Sequence, residues 1–301
     1  MRNTPTSLMI PLCLATVCAF IGCRQFKLAS NDSVPTKDKK VANAGGKKKR
    51  IKPPHKHSFR IAPYVFLSDF ELPKDHEVFK DLANLRNQVY KELRLPSTDR
   101  HVKVYLFETR EKYERYMKSR YPWLPRRRAF FVVQPWTMGS GEDLLVFTSW
   151  SDRIQQDLRH ELTHALLHSV LEDVPLWLDE GLAEYFELPA DKRGLNETHL
   201  RQLGRSVMFK PNMSRLEKLK KVDDMTPAEY RESWAWVHLM LRGDENGKKV
   251  LLQYLQDLRT TADPGPLRPR LAKVIKQMDK DLNTHIRNLR SQVRIASYQD
   301  Y

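Results

Sequence analysis

Cysteine is the scarcest useful residue here: 301 residues carry three, Cys13, Cys18 and Cys23, all within the first 23. Downstream of Cys23 neither a disulfide nor a thiolate metal site can form, and a domain this large does not need disulfides. A membrane-length apolar run is missing too. The stretch from Leu8 to Ile21 is too short for a comfortable span and the right length for the hydrophobic part of a signal peptide. The third absence is a charge surplus in the body of the chain. The net charge is +15, but residues 24–60 hold twelve Lys and Arg against Asp32 and Asp38. With Arg2 set aside, residues 61–301 keep only +4. A nucleic-acid enzyme carries its positive charge on the fold itself, so nucleic acid is not an expected partner.

What is present divides the chain into four. Residues 1–23 read as an export signal whose end, Phe20-Ile21-Gly22-Cys23, resembles a bacterial lipobox, with Phe20 where Leu is usual. That resemblance implies cleavage before Cys23 and lipidation of it, giving a membrane-anchored lipoprotein of the cell envelope. An ordinary secretory signal or an uncleaved anchor is the competing reading, and each version exports the protein. Residues 24–58 are a polar, basic linker with Gly45-Gly46, Lys47-Lys48-Lys49-Arg50 and Pro53-Pro54, too poor in apolar residues to fold. Two readings of its charge stand: contact with anionic lipid or wall polymer, and a solvated spacer.

Globular structure is expected from Phe59. Tyr64–Ser68, His101–Phe107, Arg128–Val133 and Leu144–Thr148 read as strands, and His76–Leu93 and Glu111–Lys118 as helices. Helices are expected at Ser151–Leu171 and from Pro175 to about Leu188, then at Ala228–Leu241, Lys248–Leu258, Arg270–Met278 and Asp281–Val293. The fold class this implies is α+β: a small mixed sheet on a helix that carries the main motif (residues 59–190), followed by a mainly helical lobe (residues 191–301).

That motif is His160-Glu161-Leu162-Thr163-His164, an H-E-x-x-H pattern. A spacing of four puts both imidazoles on one face of a helix, where they can share a Zn²⁺, and Glu161 is placed to act as general base. Sixteen residues beyond His164 come Glu180 and then Glu184. A carboxylate from this second helix completes three ligands and leaves a fourth position open, the pattern of a catalytic zinc site. His168, one more turn along, lies about 6 Å past His164 and reads as a packed or solvated side chain.

The segment Trp177-Leu178-Asp179-Glu180-Gly181-Leu182-Ala183-Glu184-Tyr185 resembles the W-L-N-E-G-x-A-x-Y segment of the gluzincin zinc metallopeptidases, a peptidase MA-like group. The whole chain resembles a bacterial lipoprotein family of planctomycete type with such a domain. The resemblance covers roughly residues 60–240 and is specific at the two motifs. It implies Zn²⁺ on His160, His164 and Glu180, with Glu161 as base and Glu184 receiving the N–H of a ligating histidine. The swap of Glu184 and Glu180 is the alternative. It further implies a downstream donor to the oxyanion, Tyr230 first and His238 in reserve, and a sheet edge that pairs with extended substrate. Leu144–Thr148 reads either as that edge or as an ordinary core strand. Asp179 departs from the family's Asn, and no G-x-M-E-N segment precedes the zinc helix, which favours an endopeptidase over an aminopeptidase. The expected function is zinc-dependent hydrolysis of peptide or protein in the envelope; the alternatives are an inactive metal-bearing protein that binds polymers or partner proteins, and a metal-independent tether.

Overall fold

A computed structural model describes residues 26–27, 51–136, 138, 140–205, 209–261 and 263–299. The expected export signal with Cys23, and most of the expected linker, lie outside the described residues. Among those described, no helix is long and apolar enough to cross a membrane.

The fold is mixed α+β. Its strands are β1 (Phe26–Lys27), β2 (His57–Ile61), β3 (Tyr64–Ser68), β4 (Val102–Phe107), β5 (Ala129–Pro135) and β6 (Glu142–Ser149). They form one sheet in the order β1-β5-β6-β4-β3-β2. β3, β4 and β6 run parallel to one another, while β2 and β5 are antiparallel to their neighbours β3 and β6. The helices of the first half are α1 (Glu77–Leu93), α2 (Arg110–Arg120), α3 (Ile154–His168) and α4 (Leu176–Phe186). Those of the second are α5 (Glu197–Arg205), α6 (Met213–Leu216), α7 (Pro227–Arg242), α8 (Glu245–Asp257), α9 (Arg268–Leu271) and α10 (Met278–Gln299).

Both faces of the sheet are covered, which is why β5 and β6 carry continuous apolar runs. In β6, Leu144 and Val146 join the large core with α1, α3 and α4, whereas Leu145 and Phe147 turn to the smaller cluster under α2. The large core then continues through α7, α8 and α10, so one apolar cluster spans residues on both sides of position 190.

Three local features set α3 and α4 in place. Arg159, 1 % exposed, donates from Nε to the Phe186 carbonyl (2.9 Å), from Nη1 to Asp81 (2.9 Å) and from Nη2 to Gln88 (2.7 Å). One buried guanidinium thus ties α3 to the end of α4 and to α1. Arg100 donates to the carbonyl of His168 at the C-terminus of α3 (3.1 Å), where a cation suits the helix dipole. On α4, a Cβ at Gly181 would stand 2.7 Å from the Ser233 carbonyl oxygen, so only glycine lets α4 and α7 approach this closely. α7 itself starts at a capping box of Thr226 and Glu229 with Pro227 in the first turn.

The structure corrects three expectations and decides one open choice. Of the two readings of Leu144–Thr148 it is the core strand: β6 lies between β5 and β4, and β5 is flanked by β6 and the two-residue β1. Folded structure begins at His57, inside the expected linker: β2 is an edge strand whose Arg60 and Ser58 face outward, while Phe59 packs on Phe66 and Phe79. Phe26–Lys27 of that linker pairs in parallel with Val132 and Val133 of β5. The helix expected at Arg270–Met278 is four residues, Arg268–Leu271; Leu271, Ile275 and Met278 are buried at helix-like spacing, but hydrogen bonds tighten to three-residue turns (Val274 N to Leu271 O, 3.0 Å). α5 and α6 were not expected.

Candidate metal centre

His160 and His164 lie on the face of α3 turned toward α4 and β5. The two rings are 5.0 Å apart, and Phe131 of β5 stacks against His164 (6.3 Å) and His168 (5.7 Å). Glu180 comes up from α4: its Oε2 is 3.5 Å from His160 Nε2 and 3.6 Å from His164 Nε2. These separations are long for hydrogen bonds. They match two ligands of a single ion, since legs of about 2.0–2.1 Å in a tetrahedron give ligand-to-ligand edges of about 3.3–3.4 Å. His160 Nε2 and both Glu180 oxygens are buried with no hydrogen-bond partner of normal length. The three residues can hold a metal ion.

Charge argues the same way. Glu161, Asp179, Glu180, Glu184 and Glu187 are at most 7 % exposed. Five carboxylates in one buried region require cations or protons to balance them. Without a metal, burial opposes a charged His160, but Glu180 and Glu187 outweigh it and push the ring's pKa up to about 10. Burial would likewise raise Asp179, yet His164 and His168 hold it well below the carboxylate range.

The far nitrogens of the histidines are held by groups other than the one expected. His160 Nδ1 is 3.1 Å from Glu187 Oε2, and Glu187 Oε1 accepts from Gln156 (2.8 Å) and Asn196 (3.1 Å). His164 Nδ1 is 2.8 Å from Asp179 Oδ2, with His168 Nε2 3.6 Å from the same oxygen. Such partners fix the tautomer that leaves Nε2 free for metal. Glu184, expected in this role, meets His199 of α5 instead, at 2.7 Å from its Nε2. Burial works against ionising Glu184, but His199 draws its pKa down; Glu187 is raised by burial and by the adjacent Glu184.

Glu161 is 3 % exposed on α3, directly after His160. Tyr230, in the first turns of α7, lies in a small apolar cluster with Val222 and Met225, against Leu176 and Leu219. His238 is committed elsewhere: its Nδ1 is 2.9 Å from His285 Nε2 on α10, and its ring packs on Tyr185 and Trp234. His168 is packed, as expected, with a side chain 10 % exposed.

Asp179, Glu187 and His199 are the site residues that sequence reasoning missed. Asp179 directly precedes Glu180 and Glu187 lies seven residues, two helical turns, beyond it, so both were within reach of a spacing argument. His199 carries no such signal, because a separate helix brings it in. No protein-family model matches the chain, and neither does any curated protein.

Proposed function

We propose that the protein is a zinc-dependent peptidase of gluzincin type, exported and anchored at Cys23, acting as an endopeptidase on peptide or protein in the cell envelope. The observation that carries this reading is the convergence of His160, His164 and Glu180 on one point, with Glu161 buried on the same helix directly after His160. His160, His164 and Glu180 would hold Zn²⁺, which supplies Lewis acidity and lowers the pKa of a bound water. Glu161 accepts a proton from the attacking water and returns it to the leaving amine. Glu187 and Asp179 keep the two imidazoles in the ligating tautomer, and Tyr230 is the candidate donor to the oxyanion. The basic linker holds the domain near anionic lipid or wall polymer.

One observation favours a second reading. His160, His164, Glu180 and Glu161 are all at most 5 % exposed, as in a closed metal site kept for stability in a protein that binds polymers or partner proteins. Elemental analysis followed by peptide-library cleavage, with and without chelator, separates the two. Chelator-sensitive hydrolysis supports the peptidase. Stoichiometric zinc without hydrolysis supports the binding protein, and absence of zinc removes both.

A further inference from the structure

A cavity of about 1090 Å³ opens where β5 ends, β4 and β6 begin, and the chain leaves α3. Two of its ion pairs neutralise themselves: Arg100 with Glu142 (3.0 Å) and Lys103 with Asp143 (2.9 Å). Asp99, Glu172 and Asp173 also line it, and none of the three has an ion pair among the described residues. Three negative charges are thus left over in a chain whose net charge is +15.

The same wall presents an aromatic face. Trp136 is 53 % exposed yet held in place. Its backbone N donates to Gly141 O (2.9 Å), and its Nε1 donates to Asp143 Oδ1 (3.4 Å). Its ring lies so close over Gly141 that a Cβ there would be 2.6 Å away, and that glycine sits at φ +153°. A fixed indole beside surplus carboxylates suits an organic cation.

One side chain links the cavity to the candidate metal centre. His168 lines the cavity and contacts Asp179, the partner of ligand His164. Along β5, Phe131 lies against His164 and Val133 lines the cavity, a separation of about 7 Å at some 3.3 Å per residue. An extended segment already occupies the outer edge of β5: the chain's own Phe26–Lys27, with Lys27 in register with Val133.

We propose that this cavity is a subsite for the cationic side chain of an extended peptide paired on β5, a lysine or arginine two or three residues from the bond to be cleaved. Its placement relative to that bond rests on the peptidase reading; its preference for a cation does not. The two-residue β1 is a short occupant, displaced by a longer segment that makes more ladder hydrogen bonds.

The test uses full-length Glu161→Gln protein and two peptides, acetyl-Gly-Gly-Arg-Gly-Gly-amide and its neutral, isosteric citrulline counterpart, titrated calorimetrically. The arginine peptide should bind about ten-fold more tightly. That preference should vanish in Glu172→Lys/Asp173→Lys and shrink in Trp136→Leu. Equal binding of the two peptides, or a preference that survives the charge reversal, overturns the proposal. Cleavage of a peptide library by the wild-type protein is the second arm. A binding preference without any hydrolysis leaves the subsite standing and removes the peptidase. Hydrolysis with no basic preference in either assay does the reverse.

Discussion

Replacing Glu187 with Gln should weaken zinc binding more than the same change at Glu184, although Glu184 is the residue the motif pointed to. Glu187 Oε1 already accepts from Gln156 and Asn196, and Oε2 faces His160 Nδ1. A glutamine there has two orientations, and both are poor. With its oxygen toward His160, its NH₂ meets two other donors. With its NH₂ toward His160, Nδ1 must become the acceptor and the proton moves to Nε2, the atom that should bind metal. Loss of such a supporting partner typically lowers metal affinity 10–100-fold, about 1.4–2.7 kcal/mol. Glu184 lies within 4.8 Å of both His160 and Glu187, but its hydrogen bond goes to His199, so Glu184→Gln should have the smaller effect. Competition with a fluorescent chelator at pH 7.5 measures both, with circular dichroism to check folding. If Glu187→Gln leaves zinc affinity within two-fold of wild type while Glu184→Gln lowers it ten-fold, the assignment of partners is wrong.

Further outcomes follow from the packing. Arg159→Met should cost about 3–5 kcal/mol, because Asp81, Gln88 and the Phe186 carbonyl all lose their donor; a urea midpoint close to wild type would contradict this. Gly181→Ala forces a methyl to 2.7 Å from the Ser233 carbonyl and should destabilise by about 1–3 kcal/mol while weakening zinc affinity, since it moves the helix that carries Glu180; unchanged thermal stability would show that α4 and α7 can separate freely. Acid should destabilise the α7–α10 contact. Burial holds His238 down to about 3, with His285 adding to the effect, and burial holds His285 down to about 4. Both rings stay neutral in the folded state while the unfolded chain takes up protons near pH 6.5. Stability is therefore complete above pH 6.5 and falls as pH drops toward 3–4. By pH 4.5 His238 alone accounts for roughly 2–3 kcal/mol. Between pH 7.5 and 4.5 the wild type should lose that much more than His238→Phe, and equal losses would refute the account.

The parts of this molecule that were legible in its sequence are those governed by a single period. Helical spacing placed His160 over His164, and the alternation of Val102, Val104 and Leu106 located β4 to within a residue. The carboxylate on α4 was legible because a motif follows a helix face. Pairing between elements was not. Leu144-Leu145-Val146-Phe147 shows by its unbroken apolar run that both faces of β6 are covered, but nothing local says that β4 and β5 flank it. Glu187 took the role expected of Glu184 for a similar reason: both are carboxylates on one helix, and the choice between them depends on Gln156 and Asn196, which tertiary structure delivers. β2 was hidden by composition, since His57, Ser58 and Arg60 continue the polarity of the linker.

The most direct test of the central claim is the zinc content and peptide hydrolysis of Glu161→Gln beside wild type. The account predicts one zinc per chain in both proteins, with hydrolysis reduced about 10²–10⁴-fold in the variant. Undiminished hydrolysis by Glu161→Gln, or a wild-type protein that binds no zinc, would contradict it.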